Sequence, residues 1–119
     1  MSRCNAGTFF IKQNIIMNNQ EVIIFEINEK RIQKWKKWCN LLKSTYRNEI
    51  IKSLEEEGAD HEMFISFELN GKTYGIAYLE GNCAPYNKER EVNKIHHSRT
   101  TECLRRVSKA NILYSIKRP

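Results

Sequence analysis

The stretch MFISFELNGKTYGIAY, residues 63–78, decides the fold. Apolar and polar side chains alternate on both sides of Asn70-Gly71, and Asn-Gly is the strongest two-residue signal for a type I′ hairpin turn. With Leu69 opposite Lys72, the hairpin has one bulky apolar face and one face of smaller or polar side chains. The predicted pairs are Phe67 with Tyr74, Ile65 with Ile76 and Met63 with Tyr78 on the apolar face, and Glu68 with Thr73, Ser66 with Gly75 and Phe64 with Ala77 on the other. The second face either lets a helix approach closely or leaves room for a ligand.

The residues before the hairpin predict one strand followed by a helical stretch. The run VIIFEI, within residues 21–28, is short, apolar and rich in β-branched residues, which is typical of a strand buried on both faces. Asn28 ends this strand and is a residue type that caps a following helix. The apolar stripe at helical spacing that comes next consists of Ile32, Trp35, Cys39 and Leu42, with Trp38 and Leu41 beside it. The stretch continues in a second phase from Tyr46 and ends at Gly58, and its three glutamates at 55–57 are expected to be solvated.

The residues after the hairpin predict a second helix and a fourth strand. Positions 88–108 have helical spacing, and the residues along one face are Val92, Ile95 or His96, Arg99, Cys103 and Val107. Positions 110–117 are rich in aliphatic and aromatic residues, as in a strand. The resulting order is β-α-β-β-α-β, which predicts an α+β fold of the ferredoxin-like type, an antiparallel four-stranded sheet with two helices on one face. One such domain spans residues 20–119, and residues 1–19 form an N-terminal extension that is expected to be mobile.

This predicted fold leaves one face of the sheet uncovered. Two helices cover only one side, whereas several of the predicted strands are apolar on both faces. A second copy of the chain is the simplest cover. The sequence therefore predicts a homodimer joined through the open sheet face.

The composition is that of an ordinary globular chain. Its 119 residues suffice for a single core, and no apolar run approaches the roughly 20 residues of a membrane-spanning helix. Four cysteines, widely spaced and without a CxxC pair, indicate a reducing cytoplasm. The formal net charge is +6, but acidic residues interrupt the basic ones on both helical stretches, and no nucleic-acid-binding motif accompanies them. The sequence therefore argues against a nucleic-acid partner and against membrane insertion.

Two ionisable residues are the candidates for proton transfer. His96 shares the inward stripe of the second helix, and imidazole acts as an acid, a base or a metal ligand near pH 7. Glu68 lies on the small-residue face of the hairpin, where a cavity is expected. The competing interpretations are a core histidine satisfied by its neighbours and an edge carboxylate beside the hairpin turn.

Aromatic residues near this pair are the candidates for ligand binding. They are Trp38, Tyr46 and Tyr78. The hairpin register puts Tyr78 on the opposite sheet face from Glu68, so the two share a pocket only if the strand is bulged.

The sequence identifies no cofactor. Its histidines, cysteines and carboxylates lack the paired spacing of a zinc site, so no metal ligand is assigned. A haem hypothesis would use His96 as an axial ligand, with Trp35 or Trp38 against the ring. The chain has neither a glycine-rich phosphate loop nor a GxSxG nucleophile, and Cys39 and Cys103 lie on apolar stripes where thiols are usually inert.

Five segments together carry a resemblance to a known family. They are VIIFEI (22–27), KWKKWCNLL (34–42), TYRNEIIKSLEEEGADHEMFISF (45–67), YGIAYLEG (74–81) and KIHHSRTTECL (94–104). Over residues 20–117 the chain resembles an uncharacterised bacterial family in the dimeric α/β-barrel superfamily. This resemblance implies a ferredoxin-like fold and a homodimer. It implies no single reaction, because the superfamily includes monooxygenases, haem-handling enzymes, sugar mutarotases and stress-responsive proteins.

Three functions follow as hypotheses. The first is a cytoplasmic homodimer that binds a small organic molecule between helices and sheet, with cofactor-independent isomerase or monooxygenase-like chemistry at His96 or Glu68. The second is a non-enzymatic dimeric interaction module with a basic surface, which is favoured if Trp35 and Trp38 fill the small-residue sheet face. The third is an RNA-binding ferredoxin-like domain that exposes tyrosines on its open sheet face.

Overall fold

A four-stranded antiparallel sheet forms the centre of the described chain, and three α-helices pack on one side of it. The computed structural model describes residues 19–82, 84 and 87–119. The elements are the strands β1 (Asn19–Ile27), β2 (Ala59–Leu69), β3 (Lys72–Gly81) and β4 (Leu104–Ala110) and the helices α1 (Ile32–Leu42), α2 (Arg47–Glu57) and α3 (Glu91–Cys103). The sheet order is β2-β3-β1-β4, so β2 and β4 are the edge strands. The predicted N-terminal extension, up to residue 18, lies outside the described residues.

The predicted hairpin and its register are confirmed. Asn70 and Gly71 both have a positive φ, 52° and 77°, as a type I′ turn requires. Leu69 lies opposite Lys72, and all the other predicted pairs follow in the same register. Because alternate side chains point to opposite faces, the hairpin presents its bulky apolar side chains on the open face of the sheet and its smaller ones towards the helices.

The core lies between the sheet and the helices. Its buried apolar residues are Ile23, Phe25 and Ile27 of β1, Trp35 and Trp38 of α1, and Val92 and Cys103 of α3. The predicted cap at Asn28 is also present, because its side-chain Oδ1 accepts a hydrogen bond of 3.0 Å from the backbone N–H of Lys30. This cap starts a short 3₁₀ turn, Glu29–Arg31, that leads directly into α1.

Gly75 of β3 makes room for the Phe64 ring. A Cβ at position 75 would overlap this ring, which also packs edge-on against Trp35 with the ring centroids 5.1 Å apart. We expect Gly75→Ala to lower the free energy of unfolding by about 2 kcal/mol, because the added methyl group displaces a ring in a packed core. Urea unfolding measures this loss. The control is Ser66→Ala at the exposed position opposite Gly75, with an expected change below about 0.5 kcal/mol. A Gly75→Ala protein as stable as the wild type would contradict this packing.

The helical stretch after β1 consists of two helices where the sequence predicts one. A turn at residues 43–46 separates α1 from α2. The backbone N–H of Tyr46 donates to the carbonyl of Leu41 at 2.9 Å, and the Tyr46 ring packs 5.5 Å from that of Trp38. The break coincides with the change of phase in the apolar pattern, because two phases cannot face one core along a straight helix.

The predicted bounds of the second helix and of the fourth strand are wrong. The helix ends at Cys103 rather than at 108, and β4 occupies Leu104–Ala110 rather than 110–117. The Cys103 carbonyl accepts a hydrogen bond of 2.9 Å from the Asn28 N–H, and the next residue, Leu104, already pairs with Ile27. Pairing with β1 therefore determines where the fourth strand begins and ends. The more apolar residues 111–117 have no regular secondary structure.

Candidate functional site

A cavity of about 460 Å³ lies between α1, α2 and the edge strand β2. This volume is within the range of small-molecule sites in proteins. The walls are mainly apolar, and the side chains that form them include Trp35, Leu42, Ile50, Leu54 and Phe64. The helix side of the sheet therefore keeps room for a small organic molecule, although Phe64 fills the space above Gly75.

His96 lies in the wall of this cavity and is held by Trp38. The indole Nε1 of Trp38 donates to His96 Nδ1 at 2.9 Å, and the two residues are 2% and 6% exposed. Because Nδ1 accepts this bond, the neutral imidazole carries its proton on Nε2. His96 therefore acts as a fixed hydrogen-bond donor in this tautomer, and it could accept a proton only at the cost of the Trp38 bond.

Three of the predicted site residues come together around this hydrogen bond. The His96 ring centroid is 6.0 Å from that of Trp38, and Trp38 in turn packs against Tyr46. On the other side the imidazole lies 6.2 Å from the ring of Trp35, and the guanidinium of Arg99 lies 6.0 Å from the Trp38 ring. The inward faces of α1 and α3, which the helical spacing predicts to form a core, therefore also bring these site residues together.

Glu68 and Tyr78, the other two predicted site residues, lie elsewhere. Glu68 is exposed near the hairpin turn and is not among the residues that line this cavity. It is four positions from Phe64, roughly 13 Å along the strand. Tyr78 is on the open sheet face, where its hydroxyl donates to Glu80 Oε1 and accepts a 2.7 Å hydrogen bond from Gln20 Nε2. The structure therefore does not bring either residue to His96.

Trp35 supplies a second donor that the sequence did not suggest. The residue is 3% exposed, lines the cavity, and its indole Nε1 has no hydrogen-bond acceptor among the residues that the structure describes. A buried donor without an acceptor costs about 1–3 kcal/mol. An acceptor oxygen on a ligand would recover this energy, so Trp35 favours a ligand with a carbonyl or similar oxygen.

Charged side chains surround the mouth of the cavity. Lys43 and Arg47, at the turn between α1 and α2, are exposed, and neither forms an ion pair within the described part of the chain. Asp60 and Glu62 line the β2 side of the cavity. The helix side of the entrance is therefore positive, and it attracts an anionic group.

A buried polar network behind the cavity was also not predicted. The expectation that residues 55–57 are all solvated is wrong for Glu57, which is 0% exposed. The Ser53 hydroxyl donates to Glu57 Oε2 at 2.6 Å, and Asn93 Nδ2 donates to Ser53 Oγ at 2.9 Å. The one feature of the sequence that could have indicated this network is the spacing of Ser53 and Glu57, which are four positions apart and so lie on the same face of a helix. It joins α2 to α3 and so fixes the helix that forms one cavity wall.

The thiols near the site are unreactive. Burial raises the pKa of Cys39 to about 11, and it also raises the pKa of Cys103. Both side chains are therefore protonated near neutral pH and are poor nucleophiles. Cys4 and Cys83 lie outside the described residues.

Within the described part of the chain, no group of three or more histidine, cysteine, aspartate or glutamate side chains is arranged to hold a metal ion. Among its helices, none has both the length and the apolar character needed to cross a membrane.

Comparisons of the chain with protein-family models, curated proteins and solved structures give no match. The resemblance to the dimeric α/β-barrel superfamily stays a prediction from the sequence segments that carry it.

Proposed function

We propose that this chain is a homodimeric, ferredoxin-like protein that binds a small apolar acid carrying a carbonyl oxygen in the cavity between α1, α2 and β2. One observation carries the proposal: an apolar cavity of about 460 Å³ has the buried Trp35 N–H in its wall, beside the His96 ring, and the cations Lys43 and Arg47 along its α1–α2 side. The ligand's carbonyl oxygen accepts from the wall, and its carboxylate lies near Lys43 and Arg47.

The strand order supports the ferredoxin-like topology. β3 is antiparallel to both β1 and β2, so β1 and β2 run in the same direction with one strand between them. In a split βαβ unit, the two strands joined by the crossover are likewise parallel, and a third, antiparallel strand lies between them. In this interpretation α1 and α2 together form the first crossover.

The exposed residues of β2 support the homodimer. Met63, Ile65, Phe67 and Leu69 alternate along the open sheet face and are 40%, 45%, 38% and 55% exposed. Such a row of apolar side chains on an edge strand is a surface that proteins usually cover. A second copy covers both open faces at once.

The arrangement supports binding more strongly than catalysis. The Trp38 bond keeps Nδ1 of His96 occupied, and Glu68 does not lie at the cavity. Proton abstraction by either of these two predicted residues would need this arrangement to change. Hydrogen-bond donation to a bound oxygen would not.

Calorimetric titration with three related probes tests the proposed ligand class. The probe 3-benzoylpropionate has both the carbonyl and the carboxylate, 4-phenylbutyrate lacks the carbonyl, and the methyl ester of 3-benzoylpropionate lacks the charge. We expect saturable binding of 3-benzoylpropionate, and affinities about 10-fold lower for each of the other two, because one leaves the Trp35 N–H unsatisfied and the other loses the attraction to the cations.

Charge-matched variants distinguish an effect of the cations at the cavity from an effect of the net charge of the protein. Lys43→Gln/Arg47→Gln should remove the advantage of the acid over its ester. Lys37→Gln/Lys52→Gln changes the net charge by the same amount, at one position on α1 and one on α2 that do not line the cavity, and it should keep that advantage. Equal binding of all three probes, or no saturable binding of any, would contradict the proposed function.

Single-stranded RNA binding on the open sheet face is the second candidate. The rings of Phe67 and Tyr74 stack there, with centroids 5.4 Å apart and an interplanar angle of 21°. RNA-binding sheets use such aromatic platforms. A monomer that binds single-stranded RNA with a strong dependence on salt would favour this candidate, whereas a stable dimer covers the same face.

A further inference from the structure

The segment after β4, residues 111–119, crosses one end of the open sheet face and is attached there by polar side chains. Lys117 Nζ donates to Glu80 Oε2 at 2.7 Å, and Ser115 Oγ accepts a longer hydrogen bond of 3.5 Å from Gln20 Nε2. Gln20 and Glu80 are paired neighbours on β1 and β3. The Lys117 ammonium lowers the pKa of Glu80, as does the hydrogen bond from Tyr78, so this attachment is an ion pair at neutral pH.

The apolar side chains of the same segment are largely exposed. Ile112 is 40% exposed, Leu113 92%, Tyr114 80% and Ile116 84%. The polar contacts of Ser115 and Lys117 therefore hold the segment on its own sheet while four large apolar side chains stay uncovered within one chain.

The backbone of the segment takes no part in the sheet. Within the described part of the chain, the N–H and C=O groups of residues 111–119 form no hydrogen bond. A segment with uncovered apolar side chains that is held against a sheet by polar contacts is suited to packing on another chain. A second copy of this chain is therefore the candidate for the surface that covers it.

The exposed areas indicate how much of an interface this segment supplies. Taking about 180 Å² for a fully exposed large side chain, the four apolar residues of β2 expose about 320 Å². The same conversion gives about 530 Å² for Ile112, Leu113, Tyr114 and Ile116. A stable dimer buries about 800 Å² on each partner. The four β2 residues alone supply less than half of this area, and the segment raises the exposed apolar area to about 850 Å² on each copy.

We propose that residues 111–117 form an arm that packs on the open sheet face of a second copy of this chain and completes the dimer interface. The arm and the face that receives it lie on one surface of one chain, as a two-fold symmetric interface requires. This inference rests on the homodimer of the proposed function and adds the segment that makes it stable.

Light scattering of the full chain over a range of concentrations tests the arm. We expect Tyr114→Ser/Ile116→Ser to weaken the wild-type dimer at least about 100-fold, since both side chains would leave a buried apolar interface. Both are largely exposed within one chain, so the fold should be kept, and circular dichroism checks this. The control Ile51→Ser removes a side chain of similar exposure, 40%, from α2, and it should leave the dimer unchanged.

A chain that ends at Ala110 is the second variant and should behave like the double variant, because it keeps every helix and strand. Hydrogen exchange gives a direct readout, since the amides of 111–117 should be protected in the dimer and should lose protection on dilution. A wild-type dimer that both variants leave intact would overturn the arm and leave the sheet-face dimer standing. A wild-type monomer at high concentration would overturn both.

Discussion

The Ile65→Glu protein should be a monomer of 14.1 kDa at concentrations at which we expect the wild-type chain to form the proposed dimer of twice that mass. Ile65 is 45% exposed and lies opposite Ile76 on the open sheet face. A carboxylate there stays solvated in a single chain but would be buried without a partner in the dimer, which costs several kcal/mol per copy. We expect the dissociation constant to rise by more than about 1,000-fold. The stability of the monomer should change little.

Sedimentation or light scattering measures this change, and Ile51→Glu is the matched control. It introduces the same charge at a residue of similar exposure, but on α2 rather than on the sheet. We expect that variant to remain dimeric. A dimeric Ile65→Glu protein would show that assembly uses another surface and that the open face is not the interface.

Trp38→Phe should have the largest effect at the site. Phenylalanine keeps an aromatic ring but removes the indole N–H that bonds His96 Nδ1, and it leaves a gap at a position that is 2% exposed. We expect the free energy of unfolding to fall by about 3 kcal/mol, from the lost packing and the unsatisfied ring nitrogen. The affinity for 3-benzoylpropionate should fall about 10-fold, because the tautomer of His96 is no longer fixed.

Comparison with Trp35→Phe distinguishes the loss of core packing from the loss of the fixed His96 tautomer. This variant also replaces a buried indole, but the N–H that it removes has no acceptor among the described residues, so the loss of stability should be smaller. The ring-nitrogen chemical shifts of His96 report which nitrogen carries the proton. They should show the proton on Nε2 in Trp35→Phe, as in the wild type, and should change in Trp38→Phe. Equal losses of stability in the two variants, with an unchanged His96 spectrum in both, would contradict the role given to Trp38.

Local chemistry explains why the hairpin could be predicted in full. The Asn70-Gly71 turn fixes its own geometry, and the period of two then determines every pair and every face along β2 and β3. The same reasoning placed Tyr78 away from Glu68. Helical spacing was also enough to predict that Trp38 and His96 face inward on their helices, because an apolar stripe must turn towards the core.

Tertiary contacts explain what could not be predicted. The strand β4 is less apolar than the residues that follow it, and only its pairing with β1 makes it a strand. The Trp38–His96 hydrogen bond joins residues 58 positions apart, and nothing in either helix alone specifies it. Glu57 looked like one of three solvated glutamates, because nothing in α2 alone specifies the network in which Ser53 bonds Glu57 and accepts from Asn93 of a distant helix.

The indole region of a proton–nitrogen correlation spectrum tests the ligand site most directly. The chain has two tryptophans, so nitrogen-labelled protein gives two indole signals, which Trp35→Phe and Trp38→Phe assign. On titration with 3-benzoylpropionate we predict that the Trp35 indole proton moves downfield and saturates, because its N–H gains an acceptor, while the Trp38 signal keeps its position near that of a bonded indole. A Trp35 signal that does not move at saturating probe, or that moves equally with 4-phenylbutyrate, would contradict a carbonyl-binding cavity.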